Sequence, residues 1–167
     1  MKITSAQAAK ILRKYNVDYA NLASAERSAK VFNAAVGEDV EELRPEYDYT
    51  DTQQKLDELD EKVRKLKHTI NIFNATTVVP DFGMTIDQVL VYMGQLSRKM
   101  NKLYDMMSVL PKQRCETTRF SNIIDYTYTN YDPAQAKADY EKTSDTLARL
   151  QTALDLVNST VTFEADI

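Results

Sequence analysis

The sequence predicts a mainly α protein: a long antiparallel coiled-coil bundle of four helices with a small β-ribbon element. Three observations predict it. Only 3 Gly and 4 Pro occur in 167 residues, too few turn-formers for the loops of a β-sandwich or a doubly wound sheet. Four segments carry apolar residues at alternating spacings of three and four, the period of a helical seam. Each of those segments opens on the same signal, Thr or Asp followed three residues later by Gln. In such a capping box the first side chain accepts from a free backbone N–H of the first turn, and the Gln reaches back to the cap residue's own N–H.

The first helix is expected over 5–36. Thr4-Ser5-Ala6-Gln7 opens it with Ile3 just outside, and Leu12, Tyr15, Tyr19, Leu22, Ala25, Ala29 and Phe32 form its seam. Gly37 is the expected stop. Segment 37–50 is acidic and is expected to be a solvated linker, the functional alternative being a loop for a basic partner or a metal. The second helix is expected over 51–74, opened by Thr50-Asp51-Thr52-Gln53, with a seam of Leu56, Leu59, Val63, Leu66, Ile70 and Phe73. Its acids (Asp57, Glu58, Asp60, Glu61) come early and its bases (Lys62, Arg64, Lys65, Lys67) late, which suits the helix dipole.

The third helix is expected over 86–110. Thr85 and Gln88 form its box, Met84 is placed to staple onto Val89, and the seam is Ile86, Val89, Met93, Leu96, Met100, Leu103, Met107 and Leu110. Pro111 disfavours helix at the residue before it. The fourth is expected over 133–158, with Asp132 and Gln135 as the box, Pro133 at the first helical position, and Tyr140, Leu147, Leu150, Leu154 and Val157 as seam. Short connections make sequence neighbours antiparallel. The whole chain, 1–167, is expected to form one domain. Two stretches alternate as strands do, 117–131 and 160–163, and Thr76-Thr77-Val78-Val79 is a third candidate. They would need partners, in a ribbon at a bundle end or in another subunit.

Composition narrows function. One Cys rules out an internal disulfide framework, and one His beside it makes a zinc site unexpected. No cofactor or metal is expected. A net charge of −4 and a pI near 5.1 disfavour general nucleic-acid binding. No apolar run approaches the roughly 20 residues of a membrane span, and Met1-Lys2-Ile3-Thr4 opens no signal-peptide core, so a cytoplasmic location and no membrane contact are expected. There is no Gly-rich phosphate loop and no Glu-x-x-His pair. His68 is a helix-end residue. Cys115 lies near Lys112 and Arg114 but has no evident base, so it is expected to be an incidental thiol. With no nucleophile–base pair, an enzyme is not expected.

One constellation remains. Asn71 and Asn74 share a face at the end of the second helix, and Thr77 follows them. Lys112, Arg114 and Arg119 precede Phe120 and Ser121, then Tyr126 and Tyr128. Arg forks bind carboxylate or phosphate bidentately. Aromatic faces stack on bases, and Asn and Thr read edges and hydroxyls. Arg119 is the expected main anion contact. The two groups would lie about 36 Å apart in a simple hairpin. The composite site therefore requires a return strand along the bundle or a second subunit.

At these residues the chain resembles the septicolysin-like family, mostly uncharacterised bacterial and phage helical coiled-coil proteins. The matches are Ile11-Leu12-Arg13, then Asn71, Asn74, Ala75 and Thr77, then Arg119, Phe120 and Ser121. Their order covers essentially the whole chain. Ile72 and Asn122 stand where the family pattern has Arg. The resemblance implies a helical coiled-coil fold with a little β structure and no established enzyme activity.

Two functions follow as expectations. The first is a non-enzymatic, homo-oligomeric helical protein that captures a small anionic, nucleotide-derived ligand, as a phage-type sponge for an immune signal would. The second is a coiled-coil structural or protein-interaction module with no small-molecule ligand.

Overall fold

The computed structural model describes residues 1–115 and 125–166. Among them the chain is mainly helical, with five helices and three small antiparallel strand pairs. The helices are α1 (Ser5–Ala29), α2 (Val40–Leu43), α3 (Tyr49–Thr76), α4 (Ile86–Met107) and α5 (Pro133–Thr160). The strands are β1 (Lys2–Thr4), β2 (Val78–Val79), β3 (Met84–Thr85), β4 (Lys112–Arg114), β5 (Tyr126–Tyr128) and β6 (Thr162–Glu164). The residues group into two compact units, Met1–Thr76 with Leu156–Ile167, and Thr77–Asp155.

The first unit is an antiparallel helix pair closed by a ribbon. The start of α1 lies by the end of α3: Ala8 and Leu66 share a core with Ile3 and Ala165, packed by Ile11, Leu12, Tyr15, Ile70 and Phe163. At the other end, Gln53 on α3 donates to Glu26 on α1 at 2.6 Å. β1 and β6 pair in the register Lys2–Glu164, Ile3–Phe163 and Thr4–Thr162. The Met1 ammonium also donates to the Ala165 carbonyl at 2.7 Å. Phe163 then meets Phe73, ring centroids 4.5 Å apart.

The second unit repeats the antiparallel pairing with α4 and the part of α5 it contains. Tyr104 near the end of α4 faces Tyr140 early in α5, at 6.2 Å between centroids. At the opposite end the Arg149 guanidinium lies 5.8 Å over the ring of Phe82, just before α4. Ile86, Val89, Leu96 and Leu103 are buried on α4, and Ala136, Leu150 and Leu154 on α5. β2 and β3 form a tight hairpin, with Asp81 and Gly83 at positive φ in its turn. Gly tolerates that region freely and Asp better than most residues.

Two expected capping boxes form as read, at Thr4–Gln7 and Thr85–Gln88. The other two do not. α3 begins earlier, because Asp48 accepts from the Asp51 amide at 2.9 Å and does the capping. Gln53 is instead committed to Glu26. At α5, Asp132 accepts from the Ala134 amide, but Gln135 reaches forward to Asp139.

Helix ends also move. α1 stops at Ala29, not at 36. Beyond it, Ala35 and Glu38 satisfy one another, Phe32 sits 5.3 Å under the Arg44 guanidinium, and Gly37 takes φ 97 inside a loop. α4 stops at Met107, where the Ser108 and Val109 amides tighten onto Asp105 and Met106 before Pro111. α5 continues to Thr160, so the last strand is Thr162–Glu164 and not 160–163. Of the expected 117–131 strand, Tyr126–Tyr128 is a strand, 129–131 is not, and 116–124 lie outside the described residues. The strand candidates do not pair with one another: each finds a different partner, in β1, β3 and β4.

Candidate ligand-binding ribbon

The β4–β5 hairpin carries the basic and aromatic residues of the expected site. Its register is Lys112–Tyr128, Gln113–Thr127 and Arg114–Tyr126. Side chains alternate across a strand and cross-strand partners share a face. Lys112, Arg114, Tyr126 and Tyr128 therefore occupy one face, and all four are exposed. The Lys112 ammonium lies 4.1 Å from the Tyr126 ring centroid and 5.5 Å from that of Tyr128. The rings are 6.4 Å apart and tilted by 50°. A cation over an aromatic face is held by the ring quadrupole, so the ring pair fixes the ammonium.

Gln113, Cys115, Asp125 and Thr127 take the other face. Cys115 is half-buried, and its Sγ lies 3.0 Å from the Thr127 hydroxyl. The Cys115 amide donates to the Asp125 carbonyl, and the Thr129 amide to the Pro111 carbonyl, extending the ladder at both ends. The Tyr131 hydroxyl donates to the Met106 carbonyl at 2.8 Å and ties the base of the hairpin to the end of α4.

None of the remaining expected site residues lies on the two strands of this ribbon. Arg119, Phe120 and Ser121 lie outside the described residues. Asn71 is exposed and Asn74 half-buried, both on α3 in the first unit. Asn71 edges a hollow of about 450 Å³ with Asp60, Arg64, Lys67 and His68, a charged surface of one helix. Thr77 begins the second unit, where its carbonyl accepts from the Ile86 amide at 2.9 Å. It therefore stands at the start of α4, whereas the ribbon stands at its end, about 33 Å away along the helix. The described ribbon strands do not return along α4; they pair locally. Within one chain Thr77 and the ribbon do not meet.

The acidic segment after α1 is occupied by its own neighbourhood. Asp39 caps α2 and Asp48 caps α3. Glu41 holds Arg44 through two bonds, so its carboxyl lies below the usual range and the guanidinium titrates higher still. Tyr47 donates to Glu26 at 2.8 Å, which raises its phenol. Glu26, Tyr47 and Asp48 border a hollow of about 280 Å³ floored by Leu22, Ala25 and Ala29. Sequence reasoning missed it, though an aromatic, Tyr47, inside the acidic segment was a signal that the linker packs. Among the described residues no group of three or more His, Cys, Asp or Glu side chains is placed to hold a metal ion.

Two antiparallel helix pairs with three small ribbons define the class: a mainly α protein in which strands serve only to close ends. No protein-family model and no curated protein matches the chain. A solved structure does: the crystal structure of a functionally unknown conserved protein from Corynebacterium diphtheriae, 16% identical. The match has a TM-score of 0.63 and covers 98% of this chain and 100% of that one. At that identity the likeness shows the fold alone. No described helix is long and apolar enough to cross a membrane.

Proposed function

We propose that this chain is a non-enzymatic, self-associating helical binding protein whose β4–β5 ribbon captures a small anionic, nucleotide-like ligand. One observation carries the reading: the register places Lys112, Arg114, Tyr126 and Tyr128 on one exposed face. Arg114 presents a planar fork for phosphate, Lys112 a second positive charge, and the rings surfaces for a base. Arg119 is proposed as a further phosphate contact, with Phe120 and Ser121 next in sequence; Thr77, at the far end of α4, would join only from a second copy, and Asn71 and Asn74 are kept as proposed orienting residues. The coiled-coil seams of the four long helices serve as scaffold, supported by buried 3–4 positions within each unit. The septicolysin-like resemblance belongs to the same reading, as does a cytoplasmic setting, where nucleotides abound.

Isothermal titration with nucleoside monophosphates, dinucleotides and pyrophosphate tests the proposal. Saturable binding of at least one is expected, weakened by Arg114→Ala and by Tyr126→Ala. Absence of heat with every probe overturns the ligand and leaves the coiled-coil interaction module.

A further inference from the structure

α4 has a second face that its own unit leaves uncovered. Its inward seam, Ile86, Val89, Met93, Leu96, Met100, Leu103 and Met107, is buried or half-buried. On the far side, a 3.6-residue period gathers Asp87, Leu90, Val91, Gly94 and Arg98 into one stripe. All five are exposed, Leu90 at 49% and Val91 at 59%. From Gln88 to Ser97 no residue is charged, whereas α3 carries acids and bases from Asp51 to Lys67. Gly94 stands in the helix interior, where glycine weakens a helix relative to alanine. A Cβ built there meets nothing within 4 Å, so packing within the chain does not require glycine.

The geometry points to a second copy of this chain as the occupant, with two α4 helices packed antiparallel about a two-fold axis at the level of Tyr92 and Met93. The stripe is self-complementary in that arrangement. With Val91 opposite the second copy's Gly94, Asp87 falls opposite the second copy's Arg98, and symmetry repeats both pairings. Leu90 and Val91 fill the space over the glycine, and opposite charges close both ends. A parallel pair would set Asp87 beside Asp87 and Arg98 beside Arg98, so charge selects the antiparallel one. Among the described residues neither Asp87 nor Arg98 has an ion-pair partner in its own chain. The interface rests on the proposed self-association and names where it occurs, but it uses no ribbon residue.

Sedimentation equilibrium of the full chain tests it. The wild-type mass should rise from 19.1 kDa toward twice that value across micromolar concentrations. Asp87→Arg and Arg98→Asp should each weaken the dimer about tenfold, since each change replaces two attractive pairs by two repulsive ones. The combined swap should restore it. Gly94→Glu should abolish the dimer while leaving helicity by circular dichroism undiminished, because the site has room and glutamate favours helix. A wild type that stays monomeric overturns the interface, as do variants that dimerise like wild type or a double swap that fails to restore. Nucleotide titration beside sedimentation separates the two ideas: a wild type that dimerises without binding any nucleotide counts only against the ligand, and a wild type that binds nucleotide while staying monomeric counts only against the interface.

Discussion

Leu66 and Arg114 show how burial divides the residues of this chain. Leu66 is fully buried against Ile3, Ala8 and Ala165. Truncating a buried leucine removes transfer energy and leaves a cavity, so Leu66→Ala should destabilise by about 2–5 kcal/mol, measured by denaturant unfolding. Arg114 is exposed on a short ribbon, so Arg114→Ala should leave the unfolding midpoint within about 0.5 kcal/mol of wild type. Under the proposed function it should weaken nucleotide binding roughly tenfold, as expected for losing a charge-assisted hydrogen bond. A large stability loss would mean that Arg114 is structural. The residue types of the candidate site were legible: Lys112 and Arg114, then Tyr126 and Tyr128, are visible in the chain. Their shared face was not, because Lys112-Gln113-Arg114 has little strand propensity of its own and becomes a strand only by pairing with Tyr126–Tyr128.

At the scale of elements, helical periods were legible because they are local, and helix starts only in part. Thr4 and Thr85 cap as their spacing promises. Thr50 does not, since Asp48 two residues earlier offers a competing acceptor and Glu26 draws Gln53 away. Asp48→Ala should therefore cost about 1 kcal/mol, while Thr50→Ala should be nearly neutral; paired thermal melts distinguish the two assignments. Along α3, Lys65 bonds Glu61 one turn earlier at 2.7 Å. That contact holds the Glu61 carboxyl below its ordinary 4.5 and raises the Lys65 ammonium. The sign follows from linkage: a lowered acid contributes stability fully above its unfolded value and loses it as pH falls through the folded value. The pair is exposed, so the contribution is small. Side-chain NMR titration should find Glu61 below 4.5 in the wild type and higher in Lys65→Gln.

At the scale of the whole molecule, the least legible feature is the joining of the chain's two ends. Ile3 suggested only a flank to a capping box, and the alternation near residue 160 suggested a strand without a partner. The structure pairs them: Ile3 faces Phe163, Ala165 bonds Met1 in both directions, and Ile3 and Ala165 are each 3% exposed. No local pattern encodes a pairing across most of the chain length; the entropy of closing so long a loop is recovered only through the core it completes. The α1–α3 pair therefore depends on residues from the far end of the sequence. Deleting residues 162–167 removes Phe163 from Phe73 and Ala165 from Leu66. It also leaves the edge of β1 without its ladder. The deletion should lower the melting temperature by at least several degrees, as expected for a loss of a few kcal/mol from a domain of this size. It should also raise amide exchange first in Ile11–Tyr15 and Leu66–Ile70, while Val89–Leu103 keep their protection. Uniform exchange across both units would show that the terminal ribbon braces the entire molecule, and an unchanged melting temperature would show that it braces nothing.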